Sequence, residues 1–151
     1  MPVSLSFPDR SEPRWLRRWF WALITAGSIG VLLLARLLTP DRLGFGTHMQ
    51  LGFPPCAFLK LTTFPCPSCG LTTAFAHMAR FDFVAAERAH PLGGPLYALT
   101  VVACVISLPA CVRAWPIADT LRGLRVTRLA VIIGAAAMLV WVVRLATMII
   151  V

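Results

Sequence analysis

The chain of 151 residues is 58% hydrophobic and only 13% charged, with a mean hydropathy of +0.79. A soluble domain of this length cannot bury that much apolar side chain, because small domains have too much surface per volume. The formal charge of +8 sits on basic residues flanking apolar runs, without the interleaved aromatic surface that nucleic-acid strands need. Composition therefore excludes a soluble domain and a nucleic-acid binder, and it predicts an all-α membrane protein with three transmembrane helices.

Residues 1–18 form a basic tail with Arg10, Arg14, Arg17 and Arg18, and Ser11-Glu12-Pro13-Arg14 predicts a short interfacial helix with Trp15 and Trp19 at headgroup level. Residues 19–38 are the first span. Its apolar run is too long for the core of a cleaved signal peptide and no A-x-A site follows it, so it reads as an anchor. Ala22, Ala26 and Gly30 recur every four residues, a small-residue stripe that allows close helix contact.

Residues 39–90 form a long connection, read as a lid on the membrane surface. Its first part, residues 39–65, holds Pro40, Gly44, Gly46, Gly52, Pro54 and Pro55, and predicts irregular chain with one short turn around residues 58–61. Two short amphipathic helices follow. One runs from Pro67 to about Arg80; the other is capped by Asp82 and ends near His90-Pro91. Phe75, Met78, Phe81 and Phe83 give them an oily side suited to lying on or dipping into the bilayer. The second span covers residues 92–112, a basic loop residues 113–128 and the third span residues 129–151, so residues 1–151 read as a single membrane domain.

The tail and the 113–128 loop carry four basic residues each, whereas the longer 39–90 connection carries only Arg42, Lys60, Arg80 and Arg88. The rule that basic residues stay cytoplasmic then puts the N-terminus inside, the lid outside and the C-terminus outside. The expected setting is the bacterial cytoplasmic (inner) membrane.

Chemistry is legible in one stretch, Cys66-Pro67-Ser68-Cys69, with Cys56 upstream in the spacing C-x9-C-x2-C. Pro67 suits the first position of a helix. That predicts Cys66 as the N-cap, facing free N–H groups and the positive end of the helix dipole, which favour the thiolate. Cys66 and Cys69 are the candidate catalytic pair, and Cys56, Cys66 and Cys69 the candidate ligands of a zinc or other transition-metal ion. A structural disulfide is the plainer alternative, though a C-x-x-C bridge closes too short a loop to restrain the unfolded chain much.

His77 follows Cys69 by about 12 Å of helical rise, too far to share an ion with it. His48 and His90 are left as possible fourth ligands, each better explained as an interfacial or capping histidine. Cys104 and Cys111 share a face of the second span and read as small hydrophobes. Arg36 and Arg144 lie within apolar spans near their ends and can snorkel outward; no Asp or Glu lies in any span to pair with them, which argues against a proton-relay transporter.

The run Cys66-Pro67-Ser68-Cys69-Gly70-Leu71-Thr72-Thr73-Ala74, followed by Phe81-Asp82-Phe83, Ala85-Ala86 and Pro91-Leu92, resembles the small bacterial membrane proteins of the DUF2752 family. Their pattern is roughly C-P-x-C-G-L-T-R-A, then G-D-x-x-x-A, then N-P-L, with an earlier cysteine that Cys56 matches; the resemblance covers about residues 50–112. The chain departs from it at Thr73, Phe81 and His90, where the family usually has Arg, Gly and Asn. The resemblance implies a membrane setting and a shared cysteine site, and no reaction.

Three functions fit these features. The first is a non-enzymatic accessory or assembly protein that contacts the bilayer and another membrane protein; no convincing general base, phosphate loop or complete ligand set argues for an enzyme. The second is a thiol-disulfide redox protein using Cys66 and Cys69, although the thioredoxin βαβ pattern is absent. The third is a metal-binding or metal-delivery protein using Cys56, Cys66 and Cys69.

Overall fold

A computed structural model of the chain describes residues 13–150, and every regular element among them is helical. Helix α1 runs Arg14–Leu37, a 3-10 helix spans Thr47–Leu51, and α2 (Ala57–Thr62), α3 (Leu71–Met78) and α4 (Phe83–Ala89) complete the lid. Helices α5 (Gly93–Arg113), α6 (Ile117–Gly123) and α7 (Val126–Ile150) follow. Three of these, α1, α5 and α7, are long and apolar enough to cross a membrane.

The sequence is read closely at the spans and loosely between them. Helix α1 starts at Arg14, so Trp15 and Trp19 belong to the span helix rather than to a separate interfacial one; the tail up to residue 12 lies outside the described residues. The short turn expected around residues 58–61 is α2; the connection before it also holds the 3-10 helix, and the basic loop holds α6. Apolar side chains facing a neighbour stabilise such short helices where local propensity alone does not.

Helices α1 and α5 pack antiparallel. At the basic end, the Trp21 indole N–H donates to the Trp115 carbonyl at 3.0 Å. Midway, the buried Thr25 hydroxyl donates to Ser107 at 2.9 Å, an interhelical bond of the kind that holds helices together where lipid offers no hydrophobic drive. The contact face of α1 is thus Trp21, Thr25, Ser28 and Ala35. The Ala22–Ala26–Gly30 stripe is not part of it, since Ala26 is exposed and no neighbour lies within 4 Å of a Cβ built at Gly30.

The lid sits on the opposite end of this pair. Ala74, Ala86 and Ala89 form its buried centre with Met78 against it, and Gly93 at the start of α5 comes so close to Ala74 that a Cβ there would overlap it. The Phe75 ring meets Tyr97 of α5 edge-on at 5.5 Å. Arg80 donates to the Ala35 and Arg36 carbonyls at 3.2 and 3.0 Å, satisfying acceptors that the end of α1 leaves open. Phe81 and Phe83 point outward, as an oily membrane-facing side would.

Candidate thiol site

The three lid cysteines come from two loops that meet. Cys56 immediately precedes α2. Cys66 and Cys69 lie in a tight turn closed by the Cys69 N–H donating to the Cys66 carbonyl at 3.0 Å. Helix α3 starts only at Leu71, so the expected N-cap at Cys66 is corrected: the capping position is Gly70, with a left-handed φ of 91°. Pro67 starts the turn rather than the helix, because the chain must reverse at Gly70 before α3 can dock. A Cβ at Gly70 would strike the Ala89 carbonyl and lie 2.9 Å from the Gly44 carbonyl, so the turn is pressed into α4 and the first lid loop.

This arrangement brings the Sγ atoms of Cys56, Cys66 and Cys69 within 4.8 Å of one another. All five cysteines of the chain are free thiols. Cys69 is buried, while Cys56 and Cys66 are partly exposed. Burial pushes the Cys66 thiol up, but hydrogen bonds to the Ser68 hydroxyl, the Cys69 thiol, the Ser68 backbone and the Cys56 thiol outweigh it and bring it down to about 7. Burial, reinforced by Cys66 beside it, pushes Cys69 up to about 12. The lowered thiol at position 66 therefore owes nothing to a helix cap; its neighbours in the cluster supply the stabilisation.

A cavity of about 420 Å³ opens onto the cluster, lined also by His48, Met49 and Asp41. Among the described residues no histidine or carboxylate joins the three sulfurs as a fourth ligand atom. His48 faces the same cavity without joining the cluster. His90 is buried and has both ring nitrogens engaged: Nδ1 accepts the Leu92 N–H at 3.2 Å and Nε2 lies 3.0 Å from the Pro67 carbonyl. With Nδ1 accepting, Nε2 carries the proton and donates. Burial, and the charge of Arg144, keep this ring below the usual histidine range and hence neutral, against the pull of the Pro67 carbonyl. His90 is thus a strut between the cysteine turn and the start of α5. His77 pairs with Asp82 at 3.2 Å, away from the sulfurs. Cys104 and Cys111 lie in α5, the latter 3.6 Å from the Arg18 carbonyl.

Two partners of the site are silent in sequence. Arg144, near the end of its span, donates from Nη1 to the Cys69 carbonyl at 3.2 Å. One turn earlier on α7, the Trp141 indole N–H donates to the Pro65 carbonyl at 2.9 Å, and its ring meets Phe58 edge-on. An arginine in an apolar span is a visible oddity; its backbone acceptor is not, because any residue offers a carbonyl. Thr73, where the motif would carry an arginine, is buried with its hydroxyl 2.8 Å from that of Thr47, and the guanidinium at the cysteine turn comes from α7.

No curated protein and no solved structure matches the chain. A family model described as a protein of unknown function, DUF2752, matches residues 56–104. The match begins at the first cysteine of the cluster and takes in the thiol turn, α3, α4 and the first half of α5, so the part of the chain that holds the thiol site is similar to this family.

Proposed function

We propose that this is a small multi-pass accessory or assembly protein of the bacterial inner membrane, and that its lid holds a transition-metal ion on Cys56, Cys66 and Cys69. One observation carries the reading: three thiols from two loops converge within 4.8 Å. Metal–sulfur bonds of about 2.3 Å set ligand sulfurs about 3.8 to 4.0 Å apart. Side-chain rotation of under about 1 Å therefore brings the cluster to ligand geometry. A structural disulfide would engage two of the sulfurs and leave the third position unexplained.

The basic residues support the lid as the extracytoplasmic face. Arg14, Arg17, Arg18, Arg113, Arg122, Arg125 and Arg128 all belong to the ends of α1, α5, α6 and α7 remote from the lid, the distribution expected if that end is cytoplasmic. The lid would then be open to ligands or partner proteins outside the cell membrane.

A second reading rests on the asymmetry of Cys66 and Cys69. The partly exposed, acidified thiol beside a buried one resembles the attacking and resolving pair of a thiol-disulfide protein. Elemental analysis with thiol counting on the purified, full-length protein separates the two. One metal per chain that protects three thiols from alkylation establishes the metal site. A metal-free protein that cycles between five and three titratable thiols establishes the redox pair.

A further inference from the structure

The metal reading leaves open which ion the site takes, and the ligand set narrows it. A closed zinc site is four-coordinate and tetrahedral, with all four ligands from the protein. Here three sulfurs converge and, among the described residues, no fourth His, Cys, Asp or Glu atom joins them. Of the two sequence alternatives, His48 lines the cavity without joining the sulfurs, and His90 spends both ring nitrogens on Pro67 and Leu92 and would leave a polar gap beneath the cysteine turn if it swung away. Beyond the thiols the cavity wall offers a thioether, Met49, a soft donor of the same class as the thiolates. Thiolate and thioether ligands are the soft set that suits monovalent copper.

Charge points the same way. Three thiolates around a monovalent cation leave two negative charges at a cluster in which Cys69 is buried. The site has a fixed compensating cation in Arg144, held at the Cys69 carbonyl. Burying an arginine's charge part-way along an apolar helix is costly, and a site that becomes anionic on loading gives that charge a partner.

We propose that the lid binds copper(I) in a three-coordinate, all-thiolate site formed by Cys56, Cys66 and Cys69, with Arg144 as the positioning cation. The proposal rests on the metal reading above and names its ion.

The full-length protein, reduced and reconstituted in nanodiscs under anaerobic conditions, is titrated with copper(I) against a chromogenic copper(I) chelator, and in parallel with zinc(II) against a zinc indicator. The expected result is one copper(I) per chain, with X-ray absorption reporting three sulfurs and no nitrogen or fourth ligand. Each of Cys56→Ser, Cys66→Ser and Cys69→Ser lowers copper affinity by at least about 100-fold. Arg144→Gln lowers it about tenfold while Arg144→Lys restores it. The absorption spectrum of the unsubstituted protein keeps the test valid if a variant fails to fold.

Zinc held in preference to copper, with a nitrogen or fourth ligand in its shell, overturns the copper assignment and leaves the metal reading standing. Copper on two sulfurs, indifferent to Cys56→Ser, overturns the three-coordinate site. Failure to bind either metal stoichiometrically overturns both the assignment and the metal reading.

Discussion

Arg144 Nη1 donates a hydrogen bond to the carbonyl oxygen of Cys69 at 3.2 Å, which ties the third span to the loop that carries the thiols. Together with the Trp141–Pro65 bond it is how α7 reaches the lid. A bond from a charged donor to a partly buried carbonyl contributes about 1.5 kcal/mol. Arg144→Met is expected to lower the thermal midpoint by several degrees and to speed alkylation of Cys69, because the turn loses its clamp. Unchanged Cys69 labelling in a folded Arg144→Met protein would show that α7 does not hold the turn.

Two glycines differ in what an added side chain would cost. Gly70 needs its φ of 91° and would place a Cβ against the Ala89 carbonyl, whereas Gly30 has open space around it. Gly70→Ala should destabilise the protein by about 3 kcal/mol, combining left-handed strain with the clash. Gly30→Ala should stay within about 0.5 kcal/mol of the parent. Thermal melts in one detergent compare the pair, and a tolerated Gly70→Ala would place the turn differently.

Phe81 holds a φ of 62° and is 80% exposed. A bulky side chain in the left-handed region costs about 1 to 2 kcal/mol that glycine avoids. Phe81→Gly is therefore expected to raise the thermal midpoint in detergent, where the outward ring contributes little burial. A lower midpoint would mean that the Phe81–Phe83 ring contact outweighs the backbone strain.

The thiols should separate by pH. Cys66 sits below an ordinary thiol's 9.0, at about 7, and Cys69 above it, at about 12. Iodoacetamide labelling of Cys66 should reach half its maximal rate near pH 7 and fall about tenfold per pH unit well below that. Cys69 should stay slow past pH 10. Stability follows the same signs: the lowered Cys66 contributes stability that is present above pH 9 and lost as pH falls toward 7, while the raised Cys69 contributes stability that is lost as pH rises above 9. Equal labelling rates at pH 7 in the reduced, metal-free protein would contradict the asymmetry.

Orientation is tested with reporters. A fusion after Val151 should behave as extracytoplasmic and one near Gly123 as cytoplasmic, following the placement of basic residues at the end remote from the lid. A cytoplasmic signal from both would put the thiols in a reducing compartment and remove the case for an extracytoplasmic site.

The sequence by itself determined the class of this protein. Three apolar runs are a one-dimensional property, since a helix that satisfies its own backbone in lipid needs only length and hydropathy. Asp82 was legible as the cap of α4, which its side chain confirms by accepting the Ala85 N–H at 3.2 Å, because capping is settled within four residues. The cysteines were legible as a motif. What tertiary structure decided is everything that depends on two distant segments meeting. Cys66 lost its expected cap because the chain turns at Gly70 to press against Ala89, a contact with no local signature. His90 left the candidate ligands because a carbonyl from the cysteine turn occupies its Nε2. The face of α1 that packs is the one carrying Trp21 and Thr25, not the small-residue stripe, because those side chains find Trp115 and Ser107 across the helix pair. Arg144 reached the site through a backbone acceptor, which no residue identity encodes.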